Sequence, residues 1–462
     1  MSDRYDAIVI GAGQGGGPLA GKIAKAGKHV ALIERQHAGG TCVNEGCTPT
    51  KTMIASARAA HLARRAPDYG VHSGDGEVRV DLGRVRQRKR AMVQSFRQGS
   101  ESSLRKIDNL DLLMGTGRFT APHDIHVDLK GGGTRALTAP TVILDVGTRP
   151  VIPPIDGLDT VPYHTNASLM ELSEVPDQLL VLGGGYVGVE FAQMFRRFGS
   201  RVTLLQRGSQ LLPREDPDVA ETLTDILRDE GIDVRLNANA DAVEAMGNGL
   251  RLNATVDGER QSFDGSHLLV AAGRRPNTGD LGLEHAGIDP TPRGFVPVDD
   301  RLRTRVSGIY ALGDVTGGPA FTHTSYDDHR ILASDLLGDG GHRGTRERIL
   351  AYTVYTDPQL GRVGLTEHEA RDAGLDVQVA TLLMSSVARA LETDETRGLL
   401  KAVVDATTGQ LLGAAALGPE GGELAAALQI AMLGNLSYTT LRDAPIAHPT
   451  SAESLNNLFA KL

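Results

Sequence analysis

The chain has 462 residues, too long for a single hydrophobic core, so several domains are expected. Its net charge of −9 argues against a nucleic-acid or anionic-membrane partner. The 56 glycines and the absence of Trp suit an α/β protein with many tight strand–helix turns.

From Met1 the chain runs directly into an apolar strand, Ala7-Ile8-Val9-Ile10, without the basic stretch and long apolar core of a signal peptide. No run of 18 apolar residues occurs, so no transmembrane helix is expected. A cytoplasmic chain is the expectation. Residues Ile8 to Arg35 read IVIGAGQGGGPLAGKIAKAGKHVALIER: a strand, a Gly-rich turn, a helix and a second strand. Gly11, Gly13 and Gly16 form GxGxxG. The first Gly permits the tight turn, and the second lets the backbone approach a pyrophosphate resting on the helix N-terminus. Glu34 ends the second strand, where a carboxylate accepts hydrogen bonds from ribose hydroxyls.

The only two cysteines follow, five residues apart, in Gly39-Gly40-Thr41-Cys42-Val43-Asn44-Glu45-Gly46-Cys47-Thr48-Pro49-Thr50-Lys51. A close pair reads either as two unrelated buried thiols or as redox or soft-metal chemistry. Residues 52–106 read as long helices, and the basic stretch from Arg84 to Arg97 as a solvated helical face. Residues 110–137 alternate like a β meander, and Arg149 to Pro154 reads as a linker.

Residues Leu180 to Arg207, LVLGGGYVGVEFAQMFRRFGSRVTLLQR, repeat the first unit without a gap at an offset of 172. Two βαβ units imply two nucleotide-binding domains. Gly183, Gly185 and Gly188 are the second glycine motif. Gln206 stands where Glu34 stands in the first copy, and Arg207 follows. Loss of the carboxylate removes repulsion of a 2′-phosphate, and a guanidinium can pair with it, so NADPH is expected over NADH, with NADH possible. The alternative is Gln206 on an unphosphorylated ribose and Arg207 in solvent. A second linker is expected near residues 338–348, before an α+β domain from Ala351 to Leu462.

These features occur together with Ile309-Tyr310-Ala311-Leu312-Gly313-Asp314 and with Ala447-His448-Pro449-Thr450-x-x-Glu453. End to end, the chain resembles the class I pyridine nucleotide–disulfide oxidoreductases, which include dihydrolipoamide dehydrogenase, glutathione reductase and mercuric reductase. Leu211-Leu212-Pro213-Arg214-Glu215-Asp216 and Ser325-Tyr326-Asp327-Asp328-His329-Arg330 resemble most the reactive-chlorine-resistance and mercuric-reductase-like branch.

The resemblance implies two Rossmann-like dinucleotide-binding domains and a C-terminal α+β dimerisation domain. FAD would be held by residues 1–150 and 277–345, NAD(P)H by 151–276, and the dimer by 346–462. Gly40, Thr41 and Lys51 would lie against FAD, Asp314 would bond its ribitol chain, and Thr322 would start a helix aimed at the flavin. Family members often have Pro after that Thr; this chain has His323. Tyr186 would cover the nicotinamide position, and Gly273 would mark the return to the FAD domain. Cys42 and Cys47 would form the redox-active disulfide, with Cys47 facing the flavin and Cys42 attacking the acceptor. Lys51 would pair with Glu190. His448, oriented by Glu453, would act as acid–base on the cysteines of the other subunit of a homodimer, with a cis His448-Pro449 bond. No metal site is expected.

Residues i and i+5 of a regular helix are separated by about 7.5 Å of rise. A disulfide needs Cα atoms within about 7 Å. The pair can therefore bridge only where the helix is interrupted, and Gly46 permits that. The expected activity passes electrons from NADPH through FAD to the cysteine pair and on to a small disulfide, a metal ion or a quinone. The alternatives are a dihydrolipoamide dehydrogenase, a mercuric-reductase-like enzyme, and a non-catalytic soft-metal or redox-sensing flavoprotein. The lack of a C-terminal cysteine pair weighs against mercury.

Overall fold

The computed structural model describes residues 2–72, 77–338 and 343–462. Part of the expected second linker, residues 339–342, lies outside them. The chain forms two compact units: residues 1–52, 86–151 and 273–348, and residues 53–85, 152–272 and 349–462.

In the first unit the apolar runs Ala7–Ile10 and Val30–Glu34 are buried on both faces, as central strands of a parallel sheet must be. They pair in parallel with each other and with Thr141–Leu144 and the start of Leu110–Ala121, and Ile309–Ala311 closes one edge. The far half of Leu110–Ala121 turns antiparallel with Asp124–Leu129 and Thr134–Thr138, the expected meander. The helix Gly16–Lys25 turns Leu19 and Ile23 onto this sheet, in a cluster with Ile331 and Leu332 of the helix Thr322–Leu337. The expected linker Arg149 to Pro154 begins in a short strand, Thr148–Pro150, paired antiparallel with Arg274–Pro276, and residues 151–154 follow outside any strand.

The second unit holds the repeat. Gln178–Leu182 and Arg201–Leu205 are neighbours in a four-stranded parallel sheet, flanked by Ile232–Arg235 and His267–Val270. The crossover helix is Tyr186–Phe198. A three-stranded antiparallel sheet spans Ala238 to Gly265. The C-terminal region is a five-stranded antiparallel sheet, with the helix Gly421–Leu433 laid on it. Small residues set that contact: a Cβ at Gly361 would stand 2.0 Å from the Gly421 carbonyl oxygen. Among the described residues no helix is long and apolar enough to cross a membrane.

One buried charge cluster fastens the crossover helix. Arg197, 5% exposed at its side chain, donates to Glu230 at 2.7 Å and Asp357 at 2.6 Å. Arg397 reaches Glu230 at 2.7 Å, and Arg58 reaches Asp357 at 2.6 Å. These partners hold both carboxyls below the usual carboxylate range against the opposing effect of burial. Removing one member of such a cluster strands the others, which costs about 3–5 kcal/mol. Arg197→Ala is therefore expected to lower the thermal unfolding midpoint by several degrees. An unchanged midpoint would contradict the assignment of this cluster as the anchor.

Candidate functional site

The first glycine loop is built by close approach. Gly11 has φ +106°, and a Cβ there would lie 2.1 Å from the Asp145 carbonyl oxygen. A Cβ at Gly16 would lie 2.2 Å from the Gly11 oxygen. Glu34, buried, accepts the Ala12 amide at 3.0 Å on one carboxylate oxygen and the Gln36 and His37 amides at 2.7 and 3.2 Å on the other. The acid thus shapes the loop itself. The helix Gly16–Lys25 carries no acidic residue in its first turn. Its N-terminus therefore suits the pyrophosphate of a dinucleotide.

Asp145, absent from the sequence expectations, lies under this loop. Its Oδ2 accepts the Gly16 amide at 2.7 Å. Burial, with Asp314, Asp328 and Glu34 nearby, pushes its carboxyl well above the usual range, opposed by that hydrogen bond. A neutral carboxyl there is compatible with a phosphate close by. The available signal was an acid at the carboxyl end of the buried strand Thr141–Leu144, facing a glycine motif.

The cysteine segment abuts the loop. Gly40, at φ +62°, passes so near that a Cβ would stand 2.8 Å from the Gly13 Cα. Residues Gly40–Asn44 form one short helix, which places Thr41 at the surface and Cys42 half-buried. The helix ends at Glu45, φ −141°, and a second helix, Cys47–Arg65, begins at the second cysteine. Gly46 lies at the break, where a Cβ would stand 2.9 Å from the Thr41 carbonyl oxygen. The interruption required for the two sulfurs to meet is therefore present.

Both cysteines are thiols in this structure. The Cys47 sulfur hydrogen-bonds the Cys42 thiol and, together with burial, pushes it up, while Thr322 and the Lys51 charge act in the opposite sense. Cys47, at the helix N-terminus, has its Sγ 3.4 Å from the Thr322 Oγ1. Thr322 is the first residue of its own helix. Thiolate character at Cys47 is favoured by the helix dipole. Lys51 follows one turn later on the same face.

The basic stretch corrects the expectation of a merely solvated face. Arg97 donates from Nε to the Asn44 Oδ1 at 2.7 Å, and Arg88 donates to the Thr52 carbonyl at 2.6 Å. Asn44 in turn donates to the carbonyls of Ala38 and Gly40 at 3.1 and 2.8 Å. The helix Leu82–Arg105 thus braces the segment that carries the cysteines. Asp314 accepts the Thr148 hydroxyl at 3.0 Å, and Arg274 donates to that hydroxyl oxygen at 2.8 Å. Gly273, at φ +117°, accepts the Val151 amide at 2.9 Å, where the paired strands close.

The second glycine loop reproduces the first. A Cβ at Gly188 would stand 1.8 Å from the Gly183 oxygen, whereas the space above Gly185 is open. Gln206 Oε1 accepts the Gly184 amide at 3.0 Å. Gln206 therefore replaces Glu34 in holding its loop, and its side-chain NH2 remains a donor. Arg207 is exposed. Tyr186 opens the crossover helix, and Glu190, buried one turn on, accepts the Tyr355 amide at 2.8 Å.

Near the C-terminus, His448 Nδ1 lies 2.8 and 3.1 Å from the Glu453 carboxylate oxygens. The carboxylate fixes the tautomer with the proton on Nδ1, so Nε2 presents its lone pair. The loop spacing has a local cause. Thr450 donates to the Ala447 carbonyl at 2.8 Å and accepts the Glu453 amide at 3.2 Å. Asn456 donates to the Leu441, Arg442 and Ala444 carbonyls, which fixes the approach to His448. The His448-Pro449 bond is cis. No cluster of three or more His, Cys, Asp or Glu able to hold a metal occurs among the described residues.

Residues 5–328 match the family model of the pyridine nucleotide-disulphide oxidoreductases, and residues 350–459 match the dimerisation domain of that family. The chain is 40% identical over 461 residues to the probable pyridine nucleotide-disulfide oxidoreductase RclA of Escherichia coli, covering 99% of each. It is 37% identical to the mercuric reductase of Streptomyces lividans, with 98% of this chain and 94% of that one covered. A solved structure described as the Cu(II) complex of the HOCl-induced flavoprotein disulfide reductase RclA from Escherichia coli matches with TM-score 0.90 and 39% identity, covering all of both chains. The chain belongs to the pyridine nucleotide-disulphide oxidoreductase family, whose members use FAD and NAD(P)H.

Proposed function

We propose that this oxidoreductase reduces a small disulfide, a metal ion such as Cu(II) or a quinone at the Cys42–Cys47 pair, with electrons drawn from NADPH. The observation that carries the reading is the break at Glu45–Gly46, which brings the sulfurs together beside Thr322. In this reading residues 1–150 and 277–345 hold FAD, residues 151–276 hold NADPH, and residues 346–462 join two subunits in the cytoplasm.

FAD would rest on Gly11, Gly13 and Gly16, with Glu34 at its ribose, Gly40, Thr41 and Lys51 alongside, Asp314 at the ribitol and Thr322 toward the ring. When bound, it supplies hydride acceptance from NADPH and two-electron delivery to the cysteine pair. NADPH would rest on Gly183, Gly185 and Gly188, with Tyr186 covering the nicotinamide position. Gly273 would return the chain to the FAD domain.

The chain's own groups account for the thiol chemistry. In the reduced pair one proton is shared, and Cys42 retains it because the neighbouring sulfur and burial oppose its loss. Cys42 therefore needs a base to attack. His448 of the partner subunit, held by Glu453, takes that proton. With a disulfide acceptor, the Cys42 thiolate bonds to one acceptor sulfur and expels the other, which receives the proton from His448. Cys47 then attacks Cys42, re-forms the intramolecular disulfide and releases the second acceptor sulfur as a thiolate, which takes its proton from solvent.

Cys42 and Cys47 provide the one dithiol this chemistry needs. Cu(II) enters because a relative of 39% identity is described as its complex.

Kinetics of the enzyme and its variants test the assignments. His448→Ala is expected to slow acceptor reduction by roughly 10²- to 10⁴-fold, with the rate of enzyme reduction by NADPH unchanged in stopped flow. Equal slowing of both steps would refute its role, and full acceptor turnover in Cys47→Ser would refute the dithiol itself. In steady-state kinetics, kcat/KM for NADPH is expected to exceed that for NADH, and Gln206→Glu is expected to reverse the order. A preference of the unsubstituted enzyme for NADH would remove the phosphate reading of Gln206 and Arg207.

A further inference from the structure

The strand Ile309–Ala311 runs through Leu312 into the short helix Gly313–Thr316. Gly313, buried and at φ +70°, sits where a Cβ would stand 2.8 Å from the Ser325 Oγ and 3.0 Å from the Asp145 Oδ1. It donates its amide at 2.8 Å to the Oδ2 of Asp328, in the second turn of the helix Thr322–Leu337. Asp314 comes next, its carboxylate accepting the Thr148 hydroxyl at 3.0 Å. Asp314 is therefore placed twice, through its side chain by Thr148 and through the preceding amide by Asp328.

The Asp328 side chain is only 4% exposed. Burial pushes its carboxyl up, and the Arg348 charge and the Gly313 amide oppose that rise. Arg348, itself largely buried, donates to the Asp328 Oδ1 and, from Nε, to the Asp327 Oδ2 at 2.9 Å. One oxygen of Asp328 thus meets the guanidinium and the other meets the Gly313 amide. The position of Arg348 is set by the chain just before it. The Thr345 amide donates to the Asp300 carbonyl at 2.8 Å, and the short helix Thr345–Glu347 leads into Arg348. Arg343, more exposed, reaches only Asp327 among the described residues.

A buried carboxylate that loses its counter-charge takes up a proton or shifts towards water. Either change loosens what its other oxygen holds. Here that oxygen holds the turn that carries Asp314.

We propose that Arg348, acting through Asp328, is a positioning residue for FAD: it holds the Gly313–Asp314 turn where Asp314 meets the ribitol chain. This rests on the reading of Asp314 as the ribitol partner. The relay runs from guanidinium to carboxylate, from carboxylate to the Gly313 amide, and from there to the next residue. Its loss is felt as weaker retention of FAD.

The test measures the FAD dissociation constant of the oxidised holoenzyme, without turnover, from the rise of free-flavin fluorescence on serial dilution. Arg348→Gln is expected to raise the constant roughly three- to tenfold, the worth of one hydrogen bond. Asp328→Asn keeps an oxygen for the Gly313 amide, removes the charge and should raise it by a similar factor; it reads the same relay should Arg348→Gln fail to fold. The double variant should match the weaker-binding single one, because both cut one relay. Arg348→Lys restores the charge and should recover part of the affinity. Arg343→Gln removes the neighbouring ion pair on the same helix and should leave the constant unchanged. An unchanged constant in Arg348→Gln, beside a raised one in Asp314→Ala, would overturn the relay and leave the ribitol reading standing. Additive effects in the double variant, or equal weakening in Arg343→Gln, would also overturn it. An unchanged constant in Asp314→Ala would remove the ribitol reading, and the relay with it.

Discussion

Two sulfur atoms five residues apart can meet only where the helix between them fails, and the chemistry of this protein depends on that failure. Glu45 leaves helical geometry, and Gly46 passes within 2.9 Å, measured from a would-be Cβ, of the Thr41 carbonyl. One cysteine is then left on a short helix and the other at the start of a long one. The two sites are chemically unequal as a result. Cys47 has a helix N-terminus and Thr322 beside it, whereas Cys42 has a sulfur neighbour and burial, which hold its proton. In the proposed reaction that inequality separates the roles of the pair and calls for an external base. The His448–Glu453 pair has the chemistry of such a base, with its tautomer set by the carboxylate.

A second constraint is repeated rather than unique. In each βαβ unit a residue at the end of the second strand or just past it reaches back to the glycine loop and accepts an amide: Glu34 from Ala12, Gln206 from Gly184. The loop geometry needs only a side-chain oxygen, so a carboxylate and an amide serve equally. What differs is what each presents to a nucleotide, charge in one case and an NH2 donor in the other. Cofactor choice can therefore diverge between the copies without disturbing either loop.

Much of this was legible in the sequence because it depends on local rules. Two glycine motifs between apolar strands, a Gly within the cysteine spacing and an acid five residues after His448 each specify short-range geometry. The parallel sheets, the meander and the helix break follow from them. What stayed hidden depends on distant partners. Arg88 and Arg97 look like a solvated face in one dimension, yet they brace the cysteine segment from another helix. Asp145 lies 129 residues from the Gly16 amide it accepts. Tyr352 lies 137 residues from the Glu215 carboxylate that accepts its hydroxyl, and neither carries a periodic or motif signal that joins them. Such contacts are set by packing of whole elements, which no local pattern encodes.

The central claim is that electrons from the nicotinamide come to rest on Cys42 and Cys47. Anaerobic addition of one equivalent of NADPH to the oxidised enzyme, followed by thiol counting under denaturing conditions, tests it most directly. Two new thiols per subunit, with flavin absorbance largely retained, is the result expected. A bleached flavin with no new thiols would contradict the account.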